Sequence, residues 1–327
     1  MTRIGVVVPC RCARDHVLAV LAAIGPEATA IYVVDDACPE NTGQHVRDNC
    51  ADPRVRVIRS DRELGPGGAT VRGYREALGE EMDILVRLDA DGSADPARLE
   101  SLVRPLVDGQ ADYAKGNRWF HPAEAGGAGM ATTLRRGLAS LGSKLATGYW
   151  DITDPGHGFT ALHATVARAI PVERVASDAR FAADMLFRLG ELRAVVVDVP
   201  MPRRQAGESR ASDAPTGAGA GWFLARAAQR LAYAWLAREI NAGTVQLALG
   251  IVLLLAGALY AAILGARHAT ASAGEVMLAG LPIVVATQCL LGALRYDLAN
   301  VPSHPIHPQL VKRKEAALSA TGWVRQG

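Results

Sequence analysis

The sequence predicts an α/β domain with a mostly parallel sheet, joined to a membrane hairpin near the C-terminus. Three observations carry this. Short apolar runs alternate with helical patterns through the first third of the chain. Acidic and glycine-rich clusters follow those runs directly. Two long uncharged segments lie between residues 242 and 294. Alternating strands and helices favour a parallel sheet, whose buried strands read as near-continuous Val/Ile/Leu runs.

The elements follow in order. Ile4-Gly-Val-Val-Val-Pro9 is a buried-strand signal ended by proline, and Val17 to Ile24 has helical spacing. Ala30 to Val34 is a second strand, ending at Asp35-Asp36, and Val55 to Ile58 a third. Gly67 to Leu78 reads as a helix, Met82 to Leu88 as a fourth strand ending at Asp89-Ala-Asp91-Gly92, and Pro96 to Leu106 as a helix again. The polar clusters thus fall past the C-terminal ends of the strands, the edge at which open α/β sheets bind ligands.

From Ala242 to Ala266 and from Val276 to Leu294 no residue is charged, 25 and 19 positions respectively. A bilayer core of about 30 Å takes about 20 apolar residues, so both segments are candidate spans. Two buried core helices of a soluble protein are the alternative; the short link and the abrupt charged ends favour a hairpin. Arg226, Arg230 and Arg238 precede the first segment, and Arg295, Lys312, Arg313 and Lys314 follow the second. By the positive-inside rule both chain ends face the cytosol. The N-terminus MTRIGVVVPC lacks the pattern of a signal peptide. The expected organisation is a cytosolic domain over 1–215, an interfacial amphipathic helix over 216–241, a hairpin over 242–294 and a cytosolic basic tail over 295–327 of the plasma membrane protein. Arginines interleaved with Trp222, Phe223, Tyr233 and Trp235 suggest the interfacial helix, with packing on the soluble domain as the alternative.

Composition excludes other classes. Half of the 327 residues are hydrophobic and 21% charged, which rules out disorder. Five cysteines are too few for a disulfide scaffold, and a net charge of +2 gives no basic field for nucleic acid. Cys10-x-Cys12 could suggest a metal, but no second pair completes a site. Asp89 and Asp91, two residues apart beyond a strand, suit Mg²⁺ or Mn²⁺ bridging to phosphates. Asp35-Asp36 could hold a ribose or base, or cap a helix. Gly65-Pro66-Gly67-Gly68 lets backbone approach a ligand, or is simply a turn.

Taken together, Val6-Val-Val-Pro9, Val33-Val-Asp-Asp36, Gly65-Pro-Gly-Gly-Ala69 and Asp89-Ala-Asp-Gly92 resemble glycosyltransferase family 2 and its GT-A fold. Lys115-Gly-Asn-Arg118, the run Gly148 to Phe159, Asp184-Met-Leu-Phe187, Tyr296-Asp297 and Asn300-Val-Pro302 are similar to its membrane-anchored branch, the dolichol-phosphate mannose synthases and bacterial polyprenyl-phosphate glycosyltransferases. The resemblance implies inverting transfer of a hexose from a nucleotide-diphosphate sugar to a polyprenyl phosphate. It implies that Pro9 and the following loop, with Asp15, frame the base, and that Asp35, Asp36, Gly67 and Gly68 contact the nucleotide. Asp89 and Asp91 would hold the metal, Asp91 as the direct ligand. Arg118 would meet the acceptor phosphate, with Arg135 and Arg136 beside it or on a solvated helix face. Asp184 would orient the acceptor or act as base. Arg204, Ser209 and Arg210 would belong to a basic loop closing over phosphates.

The chain departs from the family pattern in three places. Arg14-Asp15 replaces an Asn-Glu pair, Ser93-Ala94 follow the Asp-x-Asp, and Cys38 stands in the usual Gly/Ser turn. Transfer to a hydroxyl of a lipid-linked saccharide, and a non-catalytic membrane-tethered scaffold, are the alternatives to a phosphate acceptor. Small residues in the spans (Gly250, Ala256, Gly257; Ala279, Gly280) allow close helix packing, within the hairpin or between copies of a homo-oligomer.

Overall fold

The computed structural model describes residues 2–118, 130–153, 156–201, 220–233, 240–267 and 270–320, without the side chains of 131, 132, 135, 136, 220 and 314–320. It divides into two compact units, Met1–Ala225 with Pro302–Gly327, and Arg226–Val301.

In the first unit seven strands form one sheet: β1 (Ile4–Cys10), β2 (Ala30–Asp35), β3 (Val55–Arg59), β4 (Ile84–Arg87), β5 (Tyr113–Asn117), β6 (Thr160–His163) and β7 (Val196–Pro200). Their order is β3-β2-β1-β4-β6-β5-β7. Pairings among β1 to β4 are parallel, as is β5 with β7, while β6 runs antiparallel to β4 and β5. The mostly parallel sheet expected from the alternation is therefore present, with one reversed strand.

Period-two alternation sorts the central strands onto two faces. Val6, Val8, Ile31, Val33, Ile84 and Val86 share one core with Val17 and Leu21 of α1 (Arg14–Ala22), Val46 of α2 (Thr42–Asn49) and Leu102 and Leu106 of α4 (Leu99–Val107). The residues between them face α3 (Gly65–Gly79). That helix lies close because Gly73 has no side chain: a Cβ there would stand 2.3 Å from Val7 and 3.2 Å from Val34.

The chain after residue 301 returns to this first unit rather than forming only a tail. Asp112, wholly buried, accepts the N–H groups of Val195, Ile306 and His307, and pairs with His307 Nδ1 at 2.8 Å. This carboxylate sits at the start of the last helix, α11 (His307–Ala320), where an anion suits the free N–H groups. His163 stacks on His307 at 4.4 Å, and burial pushes its imidazole down to about 4.

The stretch expected to lie in the membrane interface contains α8 (Ala220–Leu231). Its Phe223 is buried against Gly142 and Ala146 of α5 (Met130–Thr147) and Ala183 of α7 (Phe181–Leu192). The N-terminal end of that stretch therefore packs within the first unit, while Leu224 is 69% exposed.

The second unit holds two helices long and apolar enough to cross a membrane, α9 (Ala242–Ala266) and α10 (Ala273–Ala299). Only 11% and 17% of their most apolar stretches is buried, which argues against core helices of a soluble protein. The second is longer than its uncharged run because a capping box of Ser272 and Glu275 starts it earlier. Gly250 and Gly257 face Leu290 and Ile283 of the partner helix, and Ala279, Ala286 and Ala293 are buried at seven-residue intervals. Small residues thus close the hairpin on itself. Ala256 is exposed, and a Cβ added at Gly280 would meet nothing within 4 Å among the described residues, so neither is a close-packing position of this contact.

Candidate active site

The C-terminal ends of the parallel strands open into a cleft of about 300 Å³. Pro9 and Cys10 end β1, Asp36 follows β2, Gly65 and Pro66 open α3 after β3, Asp89 and Asp91 follow β4, and Arg118 follows β5. Because β6 is antiparallel, it is the residues before it, Gly156 to Gly158, that arrive at the same edge.

The acidic pair is held by its own strand. Arg87 donates from Nη2 and Nε to Asp89 Oδ1 at 2.8 and 3.1 Å, and its guanidinium stacks 5.1 Å from the Phe181 ring. Burial raises the Asp89 carboxyl above the usual carboxylate range; Arg87 opposes this, and neighbouring Asp91 adds to it. A carboxylate kept costly by burial and by a second carboxylate is stabilised by a cation, so the pair fits a hard divalent ion. Asp91 Oδ1 accepts the N–H of Ser93 at 2.9 Å, which fixes the turn. Gly158 supplies the room: a Cβ there would lie 1.7 Å from Asp89 Oδ2. His157, buried, takes the N–H of Phe159 on Nδ1, and its ring packs over Gly116.

Pro9, Asp36, Asp89, Asp91 and Arg118 are thus brought together. Other expected residues are not. Asp35 turns away from the cleft, accepting the N–H groups of Cys38 and Gly43 at 2.9 and 3.0 Å, so it caps the start of α2. Asp36 does line the cleft, yet its two oxygens hold Leu64 N and Gly65 N at 2.6 and 2.9 Å. Asp15 is exposed in the first turn of α1 and does not line the cleft, whereas His16 does.

Gly67 and Gly68 donate to the Ser177 carbonyl at 2.8 and 3.2 Å, and a Cβ on Gly67 would stand 2.3 Å from the Ala176 oxygen. The close approach they permit is of the chain itself, and it delivers Asp178 and Phe181 to the cleft. Asp184 serves the same loop. It is 1% exposed, lies outside the lining, and its Oδ2 accepts Ala176 N at 3.0 Å and Arg188 Nε at 3.1 Å. The expected orienter or base is therefore a positioning residue in this structure. Arg204, Ser209 and Arg210, and the side chains of Arg135 and Arg136, lie outside the described residues.

Sequence reasoning missed Arg87, Asp178, Phe181 and Gly158. Arg87 had a signal, as the one charge inside the apolar run Ile84-Leu-Val-Arg-Leu88.

Comparison with known proteins shows the family and the fold. The family model "Glycosyl transferase family 2" matches residues 6–170. An undecaprenyl-phosphate mannosyltransferase of Micrococcus luteus is 33% identical over 186 residues, 56% of this chain and 75% of that one. A polyprenol monophosphomannose synthase of Mycolicibacterium smegmatis is 33% identical over 193 residues, covering 56% and 70%. A dolichol-phosphate mannosyltransferase of Pyrococcus furiosus is 30% identical over 146 residues, of whose length the match spans 40%. Among solved structures, the glucosyl-3-phosphoglycerate synthase of Mycobacterium tuberculosis in complex with UDP superimposes with a TM-score of 0.51 at 20% identity, over 69% of this chain and 80% of that one, a likeness of fold.

Proposed function

The chain belongs to glycosyltransferase family 2, and on that premise we propose that it transfers a hexose from a nucleotide-diphosphate sugar to a membrane polyprenyl phosphate, with inversion at the anomeric carbon. The observation that carries this reading is the cleft itself, which gathers the half-buried carboxylates of Asp89 and Asp91 and a buried arginine at one sheet edge. Relatives named for undecaprenyl and polyprenol phosphate, and two helices able to cross a membrane, support a lipid acceptor.

Breaking the anomeric C–O bond places negative charge on the departing diphosphate. Mg²⁺ or Mn²⁺ held by Asp89 and Asp91 would neutralise that charge. Arg87 would fix Asp89 for this purpose, and Asp36 holds the Gly65 turn that also lines the cleft. Arg118 would orient the acceptor phosphate, using the fork geometry of its guanidinium. A phosphate acceptor is already anionic near neutral pH, so positioning supplies much of the rate. The hairpin would keep the catalytic unit where a lipid phosphate leaves the headgroups, with both chain ends cytosolic.

Transfer to a hydroxyl is the second reading, and it needs a general base. Asp184 is bound to Arg188 and lies outside the lining. Asp178 lines the cleft, but its hydrogen bonds from Arg180 hold its carboxyl below the usual range, which makes it a weak proton acceptor. Both points favour the phosphate.

The test is an assay of purified protein with UDP- and GDP-hexoses against a polyprenyl phosphate and a lipid-linked saccharide. Transfer to the phosphate is expected. Asp91→Asn should cut it by about 10²-fold or more, the loss of several kcal/mol of charge stabilisation. Transfer to the saccharide alone, or full activity in Asp91→Asn, would overturn the reading.

A further inference from the structure

Two loops border the cleft beside the carboxylate pair: residues 11–13 after β1 and residues 36–41 after β2. They meet at sulfur. The Sγ atoms of Cys12 and Cys38 and a carboxylate oxygen of Glu40 all lie within 4.8 Å of one another. The Cys10-x-Cys12 pair is not the unit of this site. Cys10 is buried with its Sγ bonded to Val8 O at 3.4 Å, and Cys12, two residues on, is exposed and turned to the second loop.

The backbone is arranged around these ligand atoms. Cys38 Sγ accepts the N–H of Cys12 at 3.1 Å and lies 3.1 Å from Thr42 Oγ1. Cys38 N in turn is held by Asp35 at 2.9 Å. Burial pushes the Cys38 thiol up, but the Thr42 hydroxyl and the N–H groups of Cys12, Thr42 and Glu40 outweigh it and favour the thiolate. Three groups that repel one another when ionised converge on one point, and a cation relieves that repulsion.

We propose that Cys12, Cys38 and Glu40 form a binding site for a thiophilic divalent cation of the Zn²⁺ class, which clips the loop after β1 to the loop after β2. Two thiolates and one carboxylate suit Zn²⁺, and Mg²⁺ prefers oxygen alone, so this site is chemically distinct from Asp89 and Asp91. With Zn–S bonds of about 2.3 Å, tetrahedral geometry sets the sulfurs about 3.8 Å apart, which is compatible with ligand atoms that already lie within 4.8 Å of one another. The fourth position is left for water. The clip holds the loop that carries Asp36, whose carboxylate organises the cleft wall. The binding site itself does not depend on the sugar or acceptor used.

The experiment is a Co²⁺ titration of the full chain in detergent, reduced with a phosphine and stripped by chelator. A thiolate-to-Co²⁺ charge-transfer band saturating at one ion per chain, and bleached by Zn²⁺, is expected. Cys12→Ser and Cys38→Ser should abolish the band. Glu40→Gln, at an exposed carboxylate whose loss leaves packing intact, should weaken Co²⁺ binding at least tenfold. Asp91→Asn should leave the band unchanged. No charge-transfer band in the reduced wild type, a band that survives Cys12→Ser, or one lost in Asp91→Asn would each overturn the proposal.

Discussion

Gly158→Ala is the most direct probe of the cleft, because it adds one methyl and nothing else. The backbone at Gly158 is open to any residue, so no conformational strain accompanies the change. The added Cβ would stand 1.7 Å from Asp89 Oδ2 and 2.3 Å from its carboxyl carbon. A relaxed contact is about 3.5 Å, so the carboxylate must retreat by about 1.5–2 Å. That movement breaks the charge-assisted hydrogen bonds from Arg87 at 2.8 and 3.1 Å. Each such bond contributes about 1.5–3 kcal/mol, and the half-buried Asp89 carboxylate regains water as it moves, so the fold survives. Function is the more sensitive quantity, since a misplacement of about 1 Å near reacting groups can cost about 10²-fold. The expected result is a fall of about 10²-fold in kcat/KM and about tenfold or more in Mn²⁺ affinity by calorimetry, with a cooperative thermal transition retained. Gly79→Ala is the control, since an added Cβ there meets nothing within 4 Å among the described residues. Gly158→Ala with the Mn²⁺ affinity and kcat/KM of the parent would refute the role given to Asp89.

Three further outcomes are expected. Asp184→Ala should destabilise the chain by about 3–5 kcal/mol, because it strips a buried partner from Arg188; a thermal midpoint equal to the parent's would contradict the positioning role. The raised Asp89 carboxyl means that the folded, ion-free protein favours the protonated form. This group's contribution to stability is therefore fully present below the ordinary carboxylate range and is lost as pH rises through the raised value, while cation binding gains over the same rise. Mn²⁺ titrations at a series of pH values should show affinity falling on acidification before the ordinary carboxylate range is reached. Gly257→Val should loosen the hairpin, since its Cβ would meet Ile283 at 2.7 Å and the Ala279 oxygen at 2.9 Å, an overpacking cost of about 1–3 kcal/mol; crosslinking between α9 and α10 would report it.

The fold was readable because it rests on periodicity. Val6 and Val8 fall on one face and Val7 on the other by the pleat alone, and an uncharged run of 25 residues needs no partner to be recognised. The cleft was readable to the extent that chain order decides it: a residue just past a parallel strand must sit at the binding edge, which captured Asp36, Asp89, Asp91 and Arg118. What lay beyond sequence was contact between distant segments. Nothing local marks Ser177 as the acceptor for Gly67 and Gly68, or Cys38 as the neighbour of Cys12, 26 positions away. The antiparallel β6 was equally hidden, and with it the arrival of Gly158 beside Asp89.

The acids in and around this cleft divide by what their oxygens already hold. Asp35 binds the N–H groups of Cys38 and Gly43, Asp36 those of Leu64 and Gly65, and Asp184 that of Ala176. Each carboxylate joins a strand end or helix to a loop that reaches the cleft, and each loop would otherwise leave buried donors unmet. Asp89 differs, because it accepts from a cation, Arg87, and burial still leaves its carboxyl raised. Carboxylates that satisfy backbone donors build the walls, and the one that remains electrostatically costly is where an added positive charge gains most. This explains why an acid at a strand end is an ambiguous signal in sequence. It also explains why substitutions at Asp35 or Asp184 should act on stability as much as on rate, whereas substitution at Asp91 should act on rate.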